Sequence, residues 1–81
     1  MSTEIKERIE VNAIFTKNKL KILWFKWKER KYFVKNITFS WKKHSGDKEI
    51  YLFDLSNGID VFEISFIPEN LTWYLEKIYT Y

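Results

Sequence analysis

The chain has 81 residues, which is enough for one small domain and too few for separate catalytic and binding domains. It has no cysteine, which excludes disulfides, thiol catalysis and cysteine-based metal sites, and its content of 46% hydrophobic and 20% aromatic residues excludes a disordered chain. The net charge of +3 hides an asymmetry, because eleven of the fourteen Lys and Arg residues lie between Lys17 and Lys48, where only Glu29 and Asp47 oppose them.

Turn-forming residues recur about every ten positions, which is typical of an antiparallel β protein. Residues 5–15 and 20–27 are the first two predicted strands, separated by a turn at 16–19. Within the second strand the apolar positions change from even to odd numbers between Ile22 and Phe25. Such a change of phase predicts a β-bulge or a strand bent around a barrel.

Residues 32–42 form the third predicted strand, which shows the same change of phase, with Asn36 as the expected bulge residue. Two neighbouring bulges predict a strongly curved sheet. Residues 49–55 and 60–67 are the next two strands. Asn57-Gly58 between them favours a tight two-residue turn, because both residue types adopt positive φ at low cost.

The last segment, residues 71–79, allows two interpretations. Leu71, Tyr74, Leu75 and Ile78 have helical spacing, whereas the alternation around Trp73 indicates a strand. The many Thr, Trp, Tyr and Ile residues favour the strand. We therefore predict one small all-β domain over residues 1–81, with five or six antiparallel strands in meander order and a strongly curved sheet or partly closed small barrel. Its predicted core is Val11, Ala13, Phe15, Leu20, Ile22, Val34, Ile37, Phe39, Phe62, Ile64, Phe66, Leu71, Trp73 and Leu75.

Residues that carry catalysis or bind metal are nearly absent. His44 is the only histidine and lies in a predicted turn, so neither a metal cluster nor a histidine triad can form. Asp54, Asp60 and Glu63 are close together in a predicted hairpin, but they alternate with core residues and are expected to face solvent. Two glycines twelve residues apart cannot make a phosphate loop. We predict no enzyme activity, no metal and no cofactor.

No apolar run reaches the roughly twenty residues that a membrane span needs, and the first residues lack the apolar core of a signal peptide. The absence of cysteine fits a reducing compartment. We therefore predict a cytoplasmic protein with no membrane partner.

The basic segment, residues 17–48, alternates cations with aromatic rings. On a β-sheet this pattern can place exposed rings for base stacking beside ammonium groups that contact phosphates. The predicted function is non-enzymatic binding of a polyanion, specifically single-stranded nucleic acid. In the competing interpretation the rings face the core and the lysine stems cover them. The predicted binding residues are Lys21, Trp24, Lys26, Trp27, Lys28, Arg30, Lys31, Lys35, Trp41 and Lys43.

Adjacent rings offer an alternative function. Trp24 with Phe25, and Tyr32 with Phe33, must lie on opposite faces of a regular strand, and one face cannot bury both sets. Exposed rings can pair with a second copy of the chain, with the acidic C-terminal third of one protomer against the basic segment of the other. The alternative prediction is thus a homodimeric structural or protein-interaction module.

Three segments together resemble a family of short uncharacterised bacterial β domains. They are Trp27-Lys28-Glu29-Arg30-Lys31-Tyr32-Phe33-Val34, then Ile50-Tyr51-Leu52-Phe53, and then Leu71-Thr72-Trp73-Tyr74-Leu75 with Tyr79. The family has a Trp-x-Gly-Arg-x-Tyr-x-Val segment, a central strand pair and a closing Trp-x-Leu strand, and some members are encoded near Y-family DNA polymerases. Glu29 stands at the position of the family's glycine. The resemblance implies a β fold and an association with DNA transactions, and it implies no catalytic residue.

Overall fold

The computed structural model describes residues 1–80, and they form seven β-strands and no helix, so none of them belongs to a helix that could cross a membrane. The strands are β1 (Ser2–Phe15), β2 (Leu20–Trp27), β3 (Arg30–Phe33), β4 (Asn36–Ser45), β5 (Lys48–Ser56), β6 (Val61–Ile67) and β7 (Thr72–Tyr79). All neighbours run antiparallel in the order β3-β2-β1-β7-β6-β5-β4, with β3 and β4 at the two edges. The prediction of an all-β antiparallel fold is confirmed. The predicted meander order is wrong, because β1 pairs with β7 and the consecutive strands β3 and β4 lie at opposite edges.

Strand β1 is shared by two layers. Residues 2–9 pair with β7, and residues 10–15 pair with β2. The small layer therefore consists of the second half of β1 with β2 and β3, and the large layer consists of the first half of β1 with β7, β6, β5 and β4. The ring centroids of Phe25 in β2 and Tyr32 in β3 lie 5.2 and 5.4 Å from that of Phe62 in β6. The two layers thus pack face to face.

The hydrophobic core lies between these layers. Leu55, Ile64 and Leu75 are 0% exposed, because neighbouring strands of the large layer hold them on one face and the small layer covers them. The prediction is confirmed for Ile22, Phe62, Ile64, Phe66 and Leu75, and it missed Ile9, Phe25, Phe53 and Leu55.

Three predicted core residues are exposed, so their assignment to the core was wrong. Phe15 and Phe39 are each 63% exposed, and Leu71 is 74% exposed. Phe15 ends β1 where the layers part, and Leu71 has a φ of 56° in the turn before β7. Leu71 fits the apolar alternation of the last strand in the sequence, but the strand begins only at Thr72, so Leu71 is not part of it. The strand interpretation of the last segment is itself confirmed.

The third predicted strand is two strands in different layers. The backbone N–H of Val34 donates to the carbonyl oxygen of Leu23 at 2.9 Å, whereas that of Lys35 donates to Ser56 at 2.7 Å. The chain therefore crosses from the small layer to the large one between Val34 and Lys35. The sheet has seven strands, is open, and is not strongly curved, so the predictions of five or six strands, strong curvature and a partly closed barrel are wrong.

The bulge predicted in β2 is confirmed. Ala13 is paired with Ile22 and Asn12 with Trp24, which leaves Leu23 as the extra residue. Because of this extra residue, Ile22 and Phe25 both point into the core although one number is even and the other odd. Trp24 is left on the outer face.

The second bulge lies two residues beyond the predicted one. Ile37 pairs with Leu55 and Phe39 pairs with Asp54, so the extra residue is Thr38 rather than Asn36. The Thr38 hydroxyl donates to the carbonyl oxygen of Asp54 at 3.2 Å. After this bulge Phe39 and Trp41 share the outer face of the large layer, which explains the exposure of Phe39.

The hairpin at Asn57-Gly58 forms where it was predicted, but with a longer loop. Ser56 and Val61 are the last paired residues, so the loop has four residues, and Gly58 has a φ of 95°. The side-chain oxygen Oδ1 of Asn57 accepts hydrogen bonds from the backbone N–H groups of Ile59 at 2.9 Å and Asp60 at 2.7 Å. Asn57 thus stabilises the loop through its side chain instead of through a positive φ.

The turn between β2 and β3 is strained. Trp27 pairs with Arg30, and the two central residues, Lys28 and Glu29, have φ values of 51° and 63°. Such a turn normally uses Asn or Gly, since a positive φ costs other residues about 1–2 kcal/mol each. Glu29 is also the position at which the resembling family has glycine.

We expect Glu29→Gly to raise the free energy of unfolding by about 1 kcal/mol, because glycine adopts a positive φ without steric cost. The ion pair that it removes, from Lys26 Nζ to Glu29 Oε2 at 3.7 Å, involves a carboxylate that is 93% exposed and stabilises little. Urea unfolding followed by circular dichroism measures the change. The control is Glu69→Gly, in an exposed turn where φ is not positive, which should lose stability. If both variants lost the same free energy of unfolding, the positive φ of Glu29 would not be a source of strain.

Candidate nucleic-acid interface

The outer face of the small layer carries the densest group of predicted binding residues. On β2 and β3, Phe25 pairs with Tyr32 and their rings stack at 5.2 Å on the inner face. The flanking residues therefore point outwards. We call this outer surface the Trp24 face, and it consists of Lys21, Trp24, Lys26, Lys31 and Phe33.

Two aromatic side chains lie side by side on the Trp24 face. Trp24 is paired directly with Phe33 across β2 and β3. Phe33 is 67% exposed, and Trp24 is half-buried. Lys31 Nζ lies 4.4 Å from the centroid of the Trp24 ring, which is cation–π distance. The small layer thus offers two rings and an ammonium group to solvent.

Like charges also face each other on this surface. Lys26 is paired directly with Lys31 across the two strands. A cross-strand pair of equal charges destabilises a sheet, and only Glu10 (the partner of Lys26 on β1) and the exposed Glu29 offset it. An anion bound between the two ammonium groups would relieve this repulsion.

Further cations surround the Trp24 face. A shallow cleft of about 350 Å³ at one end of the small layer is lined by Arg8, Ile9, Glu10, Lys26, Lys28 and Glu29. The turn between β1 and β2 adds two exposed lysines at the other end. The two acids of the cleft, Glu10 and Glu29, are the opposing charges. The cations on and around this face are Arg8, Lys17, Lys19, Lys21, Lys26, Lys28 and Lys31.

Trp27 does not belong to this surface. It packs against the core on the inner side of β2, with its ring centroid 6.1 Å from that of Tyr32, and its Nε1–H donates to Glu7 Oε1 at 3.1 Å. Lys28 Nζ covers the Trp27 ring at 4.9 Å from its centroid. Arg30 is the exposed cross-strand partner of Trp27. Trp27 is therefore a structural residue at the end of the core. Lys28 adjoins the Trp24 face through the cleft, whereas Arg30 lies on the same side of the small layer as Trp27.

The other predicted residues lie outside the small layer. Trp41 and Lys43 are on the outer face of the large layer, where the Trp41 ring centroid is 5.4 Å from that of Phe39. Lys35 follows the crossing between layers, and its side chain runs beside Gly58, since a Cβ at Gly58 would lie 3.6 Å from Lys35 Cδ. The structure therefore brings together Lys21, Trp24, Lys26 and Lys31, with Lys28 in the adjoining cleft, and it places Arg30 on the opposite side of the small layer.

Phe33 on the Trp24 face and Arg8 in the adjoining cleft were not among the predicted binding residues, and neither were Lys17 and Lys19 in the β1–β2 turn. Phe33 directly follows Tyr32 in β3, and adjacent residues of a strand face opposite ways. An assignment of Tyr32 to the core would therefore have placed Phe33 on the outer face. Arg8 lies outside the basic segment and comes close to Lys26 only through the pairing of β1 with β2. No local sequence signal reports such a long-range contact.

The acids of the β5–β6 hairpin form a separate cluster on the outer face of the large layer. Asp54 is paired directly with Glu63, which is 8% exposed and is paired in turn with Lys77. The Tyr79 hydroxyl donates to Glu63 Oε1 at 3.2 Å, while Asp54 Oδ1 is a buried oxygen without a hydrogen-bond partner. Asp60 does not belong to this cluster, because it lies in the loop between β5 and β6, where its backbone N–H donates to Asn57 Oδ1.

Burial, and after it the neighbouring carboxylate of Glu63, raises the pKa of Asp54 from 3.8 to about 6. Burial and the same carboxylate also raise the pKa of the Tyr79 hydroxyl, which therefore keeps its proton and remains a donor. Within residues 1–80 no group of three metal-ligating side chains occurs, and His44 is exposed. The Asp54–Glu63 pair therefore affects the stability of the fold: ionised Asp54 is destabilised by its burial and by the neighbouring carboxylate of Glu63.

Comparison with known proteins gives no relative: no protein-family model, curated protein or solved structure matches the chain. The resemblance to the bacterial β-domain family remains a prediction.

We expect Asp54→Asn to stabilise the fold at pH 8 by about 1 kcal/mol, a value that allows for screening by solvent. The folded-state pKa near 6 exceeds the value of 3.8 for a free Asp, so ionisation of Asp54 costs stability as the pH rises from 4 to 6. The gain should be complete above pH 7 and absent below pH 4. Thermal unfolding between pH 3.5 and 8 measures it, with Asp47→Asn in an exposed turn as the control. A gain in stability that does not depend on pH would show that ionisation of Asp54 is not its cause.

Proposed function

We propose that the protein binds single-stranded nucleic acid, without catalysis, through the Trp24 face. The observation that carries the proposal is the direct pairing of Trp24 with the 67% exposed Phe33, next to the pairing of Lys26 with Lys31. Aromatic rings stack on bases irrespective of sequence, and ammonium groups contact the phosphates between them. Both kinds of group are on one surface of the small layer, with spacings set by adjacent strands.

The ligand is single-stranded because the rings need an accessible base. In a duplex the faces of the bases are stacked on one another, so Trp24 and Phe33 cannot reach them without melting it. The two rings are cross-strand partners on the outer face of an open sheet, and other β-sheet nucleic-acid modules also place their stacking residues on a sheet face. No sequence preference follows, since the proposed contacts are to ring faces and phosphates.

Self-association is the second candidate function, and a different surface favours it. β4 has a free edge ten residues long, and its outer face carries Phe39, which is 63% exposed, beside Trp41. A long edge strand with exposed rings can pair with a copy of itself. Sedimentation velocity at increasing concentration tests this, since Phe39→Lys should shift a dimer towards monomer while leaving the Trp24 face intact.

For the nucleic-acid proposal, we expect Trp24→Ala and Phe33→Ala each to weaken binding of a fluorescein-labelled fifteen-nucleotide oligo(dT) by about 5- to 150-fold. This range corresponds to about 1–3 kcal/mol for each stacked base. Fluorescence anisotropy at 50 mM KCl measures the dissociation constant. The matched control is Phe39→Ala, which removes an equally exposed ring from the other layer and should have no effect.

Salt dependence gives a second test of the same interface. Three phosphate contacts, by Lys21, Lys26 and Lys31, predict a slope of about −2 in a plot of log binding constant against log salt concentration. Lys31→Gln should reduce the size of this slope by about 0.7. A lack of binding at 50 mM KCl, or equal losses for Phe33→Ala and Phe39→Ala, would refute the proposal.

A further inference from the structure

A cleft opens between the two layers at the end away from the β2–β3 turn. It has a volume of about 400 Å³ and is lined by Phe15, Leu20, Tyr51, Phe53, Phe66 and Pro68. Phe15 and Leu20 belong to the β1–β2 hairpin of the small layer, and Tyr51, Phe53 and Phe66 belong to β5 and β6 of the large layer. This volume is within the range of small-molecule sites, about 300–1,000 Å³.

The floor of the cleft is a cluster of aromatic rings. The ring centroid of Phe66 lies 4.4 Å from that of Trp73 and 6.1 Å from that of Phe15. Phe15 is 63% exposed although it points to the inner side of its hairpin and its ring lies beside that of Phe66 in the large layer. Three other clefts of about 290–370 Å³ each have charged residues in their lining, whereas this cleft has none.

The lining favours a hydrocarbon chain over a nucleobase. Tyr51 is the only lining residue with a polar side chain, and its hydroxyl already donates to Glu49 Oε2 at 3.1 Å. A base would leave its own donors and acceptors unpaired in this cleft, which is costly. An alkyl chain has no such groups and gains from every methylene that leaves water.

Cations lie around the mouth. Lys42 Nζ is 5.8 Å from the Tyr51 ring centroid and 3.9 Å from Glu49 Oε2, in an exposed ion pair that is weak enough to exchange. Lys17 and Lys19 lie in the turn that joins Phe15 to Leu20. With Glu49 and Glu69 as the acids nearby, the mouth has a positive balance, which favours an anionic head group.

We propose that this cleft binds a free fatty acid of medium chain length, with the alkyl chain between the layers and the carboxylate at Lys42 and the β1–β2 turn. The site lies between the layers, whereas the Trp24 face is on the outer side of the small layer. The cleft shares Lys17 and Lys19 of the β1–β2 turn with the surroundings of the Trp24 face but none of the residues of that face, so fatty-acid binding does not depend on the proposed nucleic-acid function.

The experiment is titration calorimetry of the full chain with decanoate, below the concentration at which decanoate forms micelles. We expect one site per chain, about 15-fold weaker binding of octanoate because each methylene contributes about fourfold, and at least tenfold weaker binding of decyltrimethylammonium. Phe15→Ala should weaken decanoate binding at least fivefold and Lys42→Gln should reduce the preference for the carboxylate. Phe39→Ala, equally exposed but on the outer face of the large layer, should change neither.

Several results would overturn the proposal. They are a lack of saturable binding, equal binding of the two head groups, no dependence on chain length, and equal effects of Phe15→Ala and Phe39→Ala. Binding to vesicles of anionic phospholipid with none to free decanoate would overturn it as well. Phe33→Ala, which should weaken oligonucleotide binding, should leave decanoate binding unchanged, so failure of one proposal is distinguishable from failure of the other.

Discussion

Single extra residues in two strands decide which rings of the basic segment reach solvent. Side chains alternate strictly along a β-strand, so one inserted residue moves every later side chain to the other face. In β2 the insertion of Leu23 puts Ile22 and Phe25 in the core and leaves Trp24 outside. In β4 the insertion of Thr38 sends Phe39 and Trp41 outwards. The chain thereby uses its many aromatic residues both to fill the core and to line two outer surfaces.

The two-layer architecture explains how so small a chain can leave rings exposed. Strand β1 spans both layers, so the small layer covers the inner face of the large one and buries Leu55, Ile64 and Leu75 completely. No element of residues 1–80 covers the outer face of the small layer, where Lys26 and Lys31 oppose each other beside Trp24 and Phe33. That arrangement gains no stability from the repelling lysines. Under the proposed function, the phosphates of the ligand would offset this repulsion.

Local features of the structure could be predicted from the sequence, and long-range ones could not. The bounds of β2 and the bulge within it followed from the apolar phase, and the hairpin at Asn57-Gly58 followed from turn chemistry. The crossing at Val34 and Lys35 could not be recognised, because the change of apolar phase between Val34 and Ile37 is also what a bulge within one strand produces, whereas the hydrogen bonds change layer there. The same reasoning applies to the site. Lys21, Trp24, Lys26 and Lys31 were predicted, but Trp41 and Lys43 were placed with them only because they are close in sequence.

The central claim is that Trp24, and not the other three Trp residues, forms the binding surface. Their environments differ: the Trp27 indole N–H donates to Glu7, Trp73 packs against Phe66, and Trp41 lies on the other layer. The most direct measurement is therefore a ¹H–¹⁵N spectrum of the four indole N–H groups, assigned with single Trp→Phe variants, during titration with oligo(dT). We predict that the Trp24 signal shifts progressively while those of Trp27, Trp41 and Trp73 stay in place. A shift of Trp41 with Trp24 unmoved would contradict the account.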